Sequence, residues 1–159
     1  MARFFFDMDG TLTVWKDATI EEVAAAGFFL NSEPQRNVVD MVGMLLADAR
    51  HEVFTLSSTF QDDHSEAEKR EWLHRCVPDL PDDHMLFVPY GRPKGEWLSA
   101  VYPEDVLVDD LSANLHQWHG IGVKVYNGVN GNHRTWKGFS IHSDMIPELM
   151  LKQLLAAVG

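Results

Sequence analysis

Two pairs of aspartates stand out because of what precedes them. Asp7 and Asp9 follow the apolar run Ala2–Phe6, and Asp109 and Asp110 close the largely apolar run Asp105–Val108. One acid behind a strand reads as a turn residue or a helix cap; two pairs in the same kind of place read as a site. Carboxylates a few ångströms apart in a partly desolvated cleft repel one another, so something positive must sit among them. Oxygen ligands without His or Cys call for a hard cation, and Mg²⁺ is the obvious one. Lys94 stands just behind Pro93 at the expected start of a helix, where the macrodipole disfavours a cation, so it reads as serving an anion. A solvent-facing lysine is the plain alternative, and Arg92 is a competing cation. Ser57 and Ser58 follow the run Glu52–Leu56 and offer hydroxyls. Acids, cation, lysine and hydroxyl together suit chemistry at a phosphoryl group.

Those residues need a frame that gathers them. Ala2–Phe6, Glu52–Leu56, Met85–Val88, Asp105–Val108 and Gly122–Tyr126 are short runs without clear alternation, as strands buried on both faces read. Between and after them Asn37–Ala49, Ser65–Val77, Pro93–Ala100, Ser112–His119 and Met145–Val158 read as helices. Val38, Met41, Val42, Leu45 and Ala49 fall on one helical stripe, as do Ile146, Leu149, Met150 and Leu154. Ser112 is the expected N-cap of its helix, and Pro147 suits a first turn. Five strands alternating with helices predict an α/β fold with a parallel sheet covered on both faces. Ligands then bind at the carboxyl ends of the strands, where both acidic pairs, Ser57 and Lys94 fall. The stretch Thr11–Arg36 breaks the rhythm and carries its own apolar cluster, Val23–Leu30; such an excursion usually covers a site.

Composition narrows the function. The 159 residues suit one domain, residues 1–159, with the excursion inside it, and 45% hydrophobic content excludes disorder. No apolar run approaches the roughly 18 residues of a membrane span. Asp7 and Asp9 follow the first apolar run too closely for a secretory leader. The single Cys76 forms no internal disulfide, so a reducing, cytoplasmic setting is expected. Thirteen basic against 24 acidic residues give a net charge of −11, which should repel nucleic-acid polymers and anionic membranes. A small anionic substrate is not excluded, since a metal and a few placed cations reverse the field locally.

In the order they occur, Asp7-Met8-Asp9-Gly10-Thr11-Leu12-Thr13, Val53-Phe54-Thr55-Leu56-Ser57, Lys94 and Val106-Leu107-Val108-Asp109-Asp110 resemble the four motifs of the haloacid dehalogenase superfamily of phosphohydrolases. Asp109-Asp110 with Asn114, Gly120–Gly128 and Trp136-Lys137-Gly138 are similar to its small 5′(3′)-deoxyribonucleotidase-like branch. The resemblance implies a Rossmann-like three-layer sandwich with a five-stranded, mainly parallel sheet in the order 5-4-1-2-3, and at most a small cap or lid within residues 13–36. It also implies roles. Asp7 is the nucleophile that forms an aspartyl-phosphate, and Asp9 the general acid and base. Asp7, the backbone carbonyl of Asp9, and Asp109 hold Mg²⁺, with Asp110 in or near that shell. Ser57 and Lys94 grip phosphoryl oxygens, with Ser58 beside them. The implied substrate is a small phosphate ester, foremost a nucleoside monophosphate.

The excursion is short for the branch's cap, which leaves base recognition open. Phe28 and Phe29 either stack on a base or pin the excursion to the core, with the core favoured; Trp15 is the other pocket candidate. His133 and Arg134 lie in a Gly- and Asn-rich segment that also follows a strand and could reach substrate. His116 and His119, three apart, read as an exposed helical face. Another sugar phosphate or a nucleic-acid 3′-phosphate is the alternative substrate, and a non-hydrolytic scaffold used for binding is a third reading. A signalling receiver domain also combines acids, Mg²⁺, a hydroxyl and a lysine. It lacks an acid two residues after the phosphorylated aspartate, the place Asp9 takes here.

Overall fold

The computed structural model describes residues 1–131 and 135–159. Its first strand, β1 (Arg3–Phe6), buries Phe4, Phe5 and Phe6 almost completely. Successive side chains of a strand enter opposite faces, so three buried neighbours require cover on both. Phe4 and Phe6 join a core with Val53, Val106, Val108, Val123 and Ile141, and Phe5 joins a second with Leu56, Val88, Leu107, Leu115 and Trp118.

Strands β2 (Glu52–Thr59), β3 (Met85–Pro89), β4 (Val106–Asp109), β5 (Ile121–Tyr126) and β6 (Phe139–His142) complete the sheet. Its order is β3-β2-β1-β4-β5-β6, with every pairing parallel. The expected order of the first five strands holds, and the count of five is corrected to six. β6 escaped the sequence reading because it is an edge strand in which only Ile141 is buried, so Phe-Ser-Ile-His lacks a continuous apolar run.

Helices α2 (Arg36–Leu46), α3 (Ser65–Cys76) and α5 (Pro147–Ala156) supply the larger core, and α4 (Ser112–His116) the smaller. The α2 stripe is buried at Val38, Met41, Val42 and Leu45, but the helix expected to run to Ala49 ends at Leu46 and leaves Ala49 exposed beyond it. That of α5 is narrower: Met150 and Leu154 are buried while Ile146 and Leu149 stand exposed. Pro147 takes the first turn of α5. Leu111, not Ser112, holds the cap position of α4, and the Ser112 hydroxyl accepts from Lys124 Nζ at 3.1 Å. The helix expected over Pro93–Ala100 is a 3₁₀ turn, Lys94–Trp97.

The excursion after β1 leaves and returns through a closed neck. Val14 N–H donates to the Glu33 carbonyl at 2.8 Å, and Gln35 N–H to the Leu12 carbonyl at 2.7 Å. Within it lies α1 (Ile20–Ala24), which buries no residue of its own. A reciprocal cap sustains this one turn: Glu22 N–H donates to Thr19 Oγ1 at 3.2 Å, and Thr19 N–H to Glu22 Oε2 at 2.8 Å.

Candidate active site

The pairing of β1 with β4 sets the site. Phe6 lies opposite Val108, and Asp7 N–H donates to the Val108 carbonyl at 2.9 Å, so Asp7 and Asp109 leave the sheet side by side. The chain then turns tightly on one oxygen: the Met8 carbonyl accepts from the amides of Thr11, Leu12 and Thr13 at 3.1, 2.9 and 2.9 Å, and from Thr13 Oγ1 at 3.2 Å. Gly10 makes this possible at φ +85°, where a Cβ would be strained and would stand 2.4 Å from Asp110 Oδ2.

Lys94 belongs to the buried acids. Its Nζ donates to Asp7 Oδ1 at 2.6 Å and to Asp109 Oδ2 at 2.7 Å. Arg92 is exposed and lines the rim of the cleft. Asp109 is held further by the Leu111 amide at 2.8 Å and by Asn114 Nδ2 at 2.9 Å. Asp110 Oδ2 accepts from Asn130 Nδ2 at 2.6 Å, and Lys124 Nζ donates to the Asp110 carbonyl. Burial, then the charges of Asp109, Asp110 and Asp9, push the Asp7 carboxyl well above the usual range despite Lys94. Burial and Asp109 push that of Asp110 up to about 6, against the hydrogen bond from Asn130. Burial works against the Lys94 ammonium, but Asp109 and Asp7 prevail and hold it above the ordinary lysine range.

Asp7, Asp109 and Asp110 each offer a carboxylate oxygen, and these oxygens lie within 4.8 Å of one another. Three buried acids against the Lys94 ammonium, with the buried Lys124 ammonium on the Asp110 carbonyl, still leave one negative charge uncompensated, which the raised carboxyls express. A donor set of oxygens alone, converging at such range, fits a hard divalent cation.

Asp9 faces a different environment. Its side chain is about one-third exposed, at 35%, and its Oδ2 accepts from Lys69 Nζ at 2.6 Å. The two carboxylates of one motif therefore differ in burial and in partner.

The family described as "5′ nucleotidase, deoxy (Pyrimidine), cytosolic type C protein" matches residues 13–143. The chain belongs to this family. It is accordingly an enzyme, a nucleotidase-type phosphoric monoester hydrolase of the haloacid dehalogenase superfamily. No curated protein matches it. The matched span takes in Ser57, Lys94, Asp109 and Asp110 of this nucleotidase-family chain, and begins after Asp7 and Asp9.

Ser57 and Ser58 lie where β2 ends, beside Lys69. Ser57 is fully buried and its Oγ accepts from Lys69 Nζ at 2.9 Å; Ser58 lines the cleft, and its carbonyl accepts from the same ammonium at 2.7 Å. The sequence reading missed Lys69. Ser65, Lys69, Trp72 and Leu73 share the buried face of α3, where a lysine is out of place without a partner, but that face is visible only once Trp72 and Leu73 are known to be buried.

A cleft of about 1180 Å³ opens in front of these groups, room enough for a small organic phosphate. Trp15, Phe28 and Phe29 line it from the excursion, and Phe60, Tyr90 and Arg92 from the sheet side. Phe29 is 5% exposed, with its ring edge-on to Phe28 and 4.4 Å from Lys69 Nζ, so it packs the excursion against α3. Phe28 and Trp15 are half-buried, and Trp15 Nε1 donates to Asp17 at 3.0 Å. His116 and His119 are both exposed, but α4 ends at His116, so they share no helical face. His133 and Arg134 lie outside the described residues.

Proposed function

We propose that the protein is a Mg²⁺-dependent phosphomonoesterase that hydrolyses a nucleoside monophosphate, foremost a pyrimidine deoxyribonucleotide, through an aspartyl-phosphate on Asp7. The observation that carries this reading is the split between the two acids of one motif. Asp7 lies buried against Lys94 and two further aspartates, while Asp9 sits at the cleft with a separate ammonium. Paired carboxylates in unlike surroundings can divide nucleophilic from acid–base work.

Asp7 attacks phosphorus with a carboxylate oxygen as the ester P–O bond breaks. Asp9 gives its proton to the departing alkoxide. With the leaving group gone, Asp9 takes a proton from water. The resulting hydroxide attacks phosphorus, the P–O bond to Asp7 breaks, and Asp7 leaves as its carboxylate with phosphate set free. Ser57, Ser58 and Lys94 hold the phosphoryl oxygens. Asp7, Asp109, Asp110 and the Asp9 carbonyl would hold Mg²⁺, which when bound offsets charge on the phosphoryl oxygens. Trp15 and Phe28 line the cleft where a base would lie. Residues 1–159 act as one unit, with the excursion as its cap.

The family's description as a cytosolic deoxy-pyrimidine 5′ nucleotidase supports both the nucleotide substrate and a cytosolic location. No helix among the described residues is long and apolar enough to cross a membrane. The test is phosphate release from deoxy- and ribonucleoside monophosphates, sugar phosphates, a 3′-phosphorylated oligonucleotide and nitrophenyl phosphate, with Mg²⁺ and with EDTA. Metal-dependent release led by one pyrimidine deoxyribonucleotide is expected. Release from nitrophenyl phosphate alone would retain the phosphatase and discard the nucleotide, and no release at all would overturn the reading.

A further inference from the structure

Lys69 is 1% exposed although it comes from a helix at the edge of an open cleft. An ammonium carries three N–H donors, and each has an acceptor here: Asp9 Oδ2 at 2.6 Å, Ser57 Oγ at 2.9 Å and the Ser58 carbonyl at 2.7 Å. The Phe29 ring lies 4.4 Å from the same nitrogen. The preceding residue, Glu68, reaches the other way. Its carboxylate accepts from the Gly27 amide and from the Phe29 amide, the latter at 3.2 Å. Two consecutive residues of α3 thus hold the general-acid candidate, the phosphate-gripping hydroxyl and the excursion over the cleft.

We propose that Lys69 is a positioning residue that aims both Asp9 and Ser57 at the substrate, and that the Glu68–Lys69 pair joins the cap to the acid. The proposal rests on the phosphomonoesterase reading above. Because Ser57 Oγ accepts from Lys69, the single hydroxyl proton points away from the ammonium and is available to a phosphoryl oxygen. Because Asp9 Oδ2 is engaged, Oδ1 is the oxygen left to exchange a proton with the leaving group. Charge-assisted hydrogen bonds of this length fix side-chain direction as well as contributing energy. With all three donors spent on protein, the ammonium acts through Asp9 and Ser57 and not on the reacting atoms. Phe29 closes the remaining side, so the position of the cap bears on the position of the lysine.

Lys69→Met and Lys69→Arg test this, since arginine keeps the charge but its planar fork cannot serve three convergent acceptors. Turnover of a nucleoside monophosphate and of nitrophenyl phosphate, inhibition by inorganic phosphate, and thermal unfolding are measured together. A nucleotide leaves as a poor alkoxide and needs the proton; nitrophenolate does not. A general acid contributes roughly 10²–10⁴-fold. Both variants are therefore expected to lose about 10–10² more in kcat on the nucleotide than on the nitrophenyl ester, and to bind inorganic phosphate several-fold more weakly. Equal losses on the two esters would overturn the positioning role and leave a structural ion pair. A wild-type protein inactive on both esters would overturn the parent reading and this one together.

Glu68→Ala covers the case in which the Lys69 variants do not fold. Hydrogen exchange at the Gly27 and Phe29 amides should accelerate, and the gap between the two esters should shift in the same direction by several-fold. Faster exchange with an unchanged gap would overturn the joint between cap and acid.

Discussion

At the scale of single residues, the reading turns on two aspartates that sequence spacing makes look alike. Asp7→Asn should reduce phosphate release at least ~10⁴-fold on every ester, because removing a nucleophile leaves only binding and charge stabilisation. Unchanged circular dichroism and unfolding temperature would show that the loss is chemical; residual rates near wild type would remove Asp7 from the nucleophile role. Asp9→Asn should instead lose roughly 10²–10⁴-fold on nucleotides and far less on nitrophenyl phosphate, and a uniform loss across leaving groups would contradict its acid role. Both acids were legible because each follows a strand that has no other reason to end in charge. Lys94 was legible because a cation is poorly placed at a helix start, and it does bridge Asp7 and Asp109. Lys69 was not. Twelve residues separate it from Ser57, and a lysine in Glu-Lys-Arg-Glu reads as a solvated face until Trp72 and Leu73 are known to be buried. Asn130, which orients Asp110, lay hidden for a similar reason: one amide in a Gly- and Asn-rich turn carries no signal.

At the scale of elements, the sheet was legible where strands were buried on both faces and illegible where they were not. β1 and β4 declare themselves through short, densely apolar runs, and their adjacency brings the acidic pairs together. β6 does not, since Phe139 is 50% exposed and His142 faces solvent. α1 escaped notice because it buries nothing and is sustained by its cap alone. Two connecting segments carry predictions. Gly10→Ala should destabilise the fold by about 1–3 kcal/mol from its positive φ alone, more with the clash at Asp110, and lower Mg²⁺ affinity. Denaturant unfolding and calorimetric titration would check both; a variant as stable as wild type would mean that the turn can relax. In the excursion, Phe28→Ala and Trp15→Ala should raise KM for nucleotides about 5–100-fold if a base stacks there, since stacking contributes roughly 1–3 kcal/mol. Sugar phosphates should respond much less. An equal rise for both would assign those rings to holding the cap.

At the scale of the whole molecule, the chain concentrates part of its −11 charge in one buried cluster, so stability, pH and metal must be linked. Asp110 has its carboxyl raised to about 6 in the folded protein against 3.8 for a free side chain. A raised acid means that the folded state binds the proton more tightly than the unfolded one. Stability from this group is therefore present at low pH and lost as pH rises from about 4 through 6, on the order of 2–3 kcal/mol by neutrality. Asp7, raised in the same direction, adds to the loss. A divalent cation replaces the proton and should restore that stability where the carboxyls are ionised. Excess Mg²⁺ should thus raise the unfolding temperature clearly at about pH 7.5 and little at about pH 5. Asp110→Asn removes one charge without removing the side chain. In EDTA it should unfold several degrees above wild type at neutral pH, given about 2–4 °C per kcal/mol for a chain of this size, by about half that margin at pH 5, and close to wild type only at about pH 4. The same variant should gain less from Mg²⁺. Were Mg²⁺ to stabilise wild type equally at both pH values, or the EDTA curves of the two proteins to coincide at neutral pH, the acids would be compensated from within the fold and the cation reading would fail. The proposed enzyme needs its active site to be the place where the fold is least content, and the difference between those two unfolding curves measures that directly.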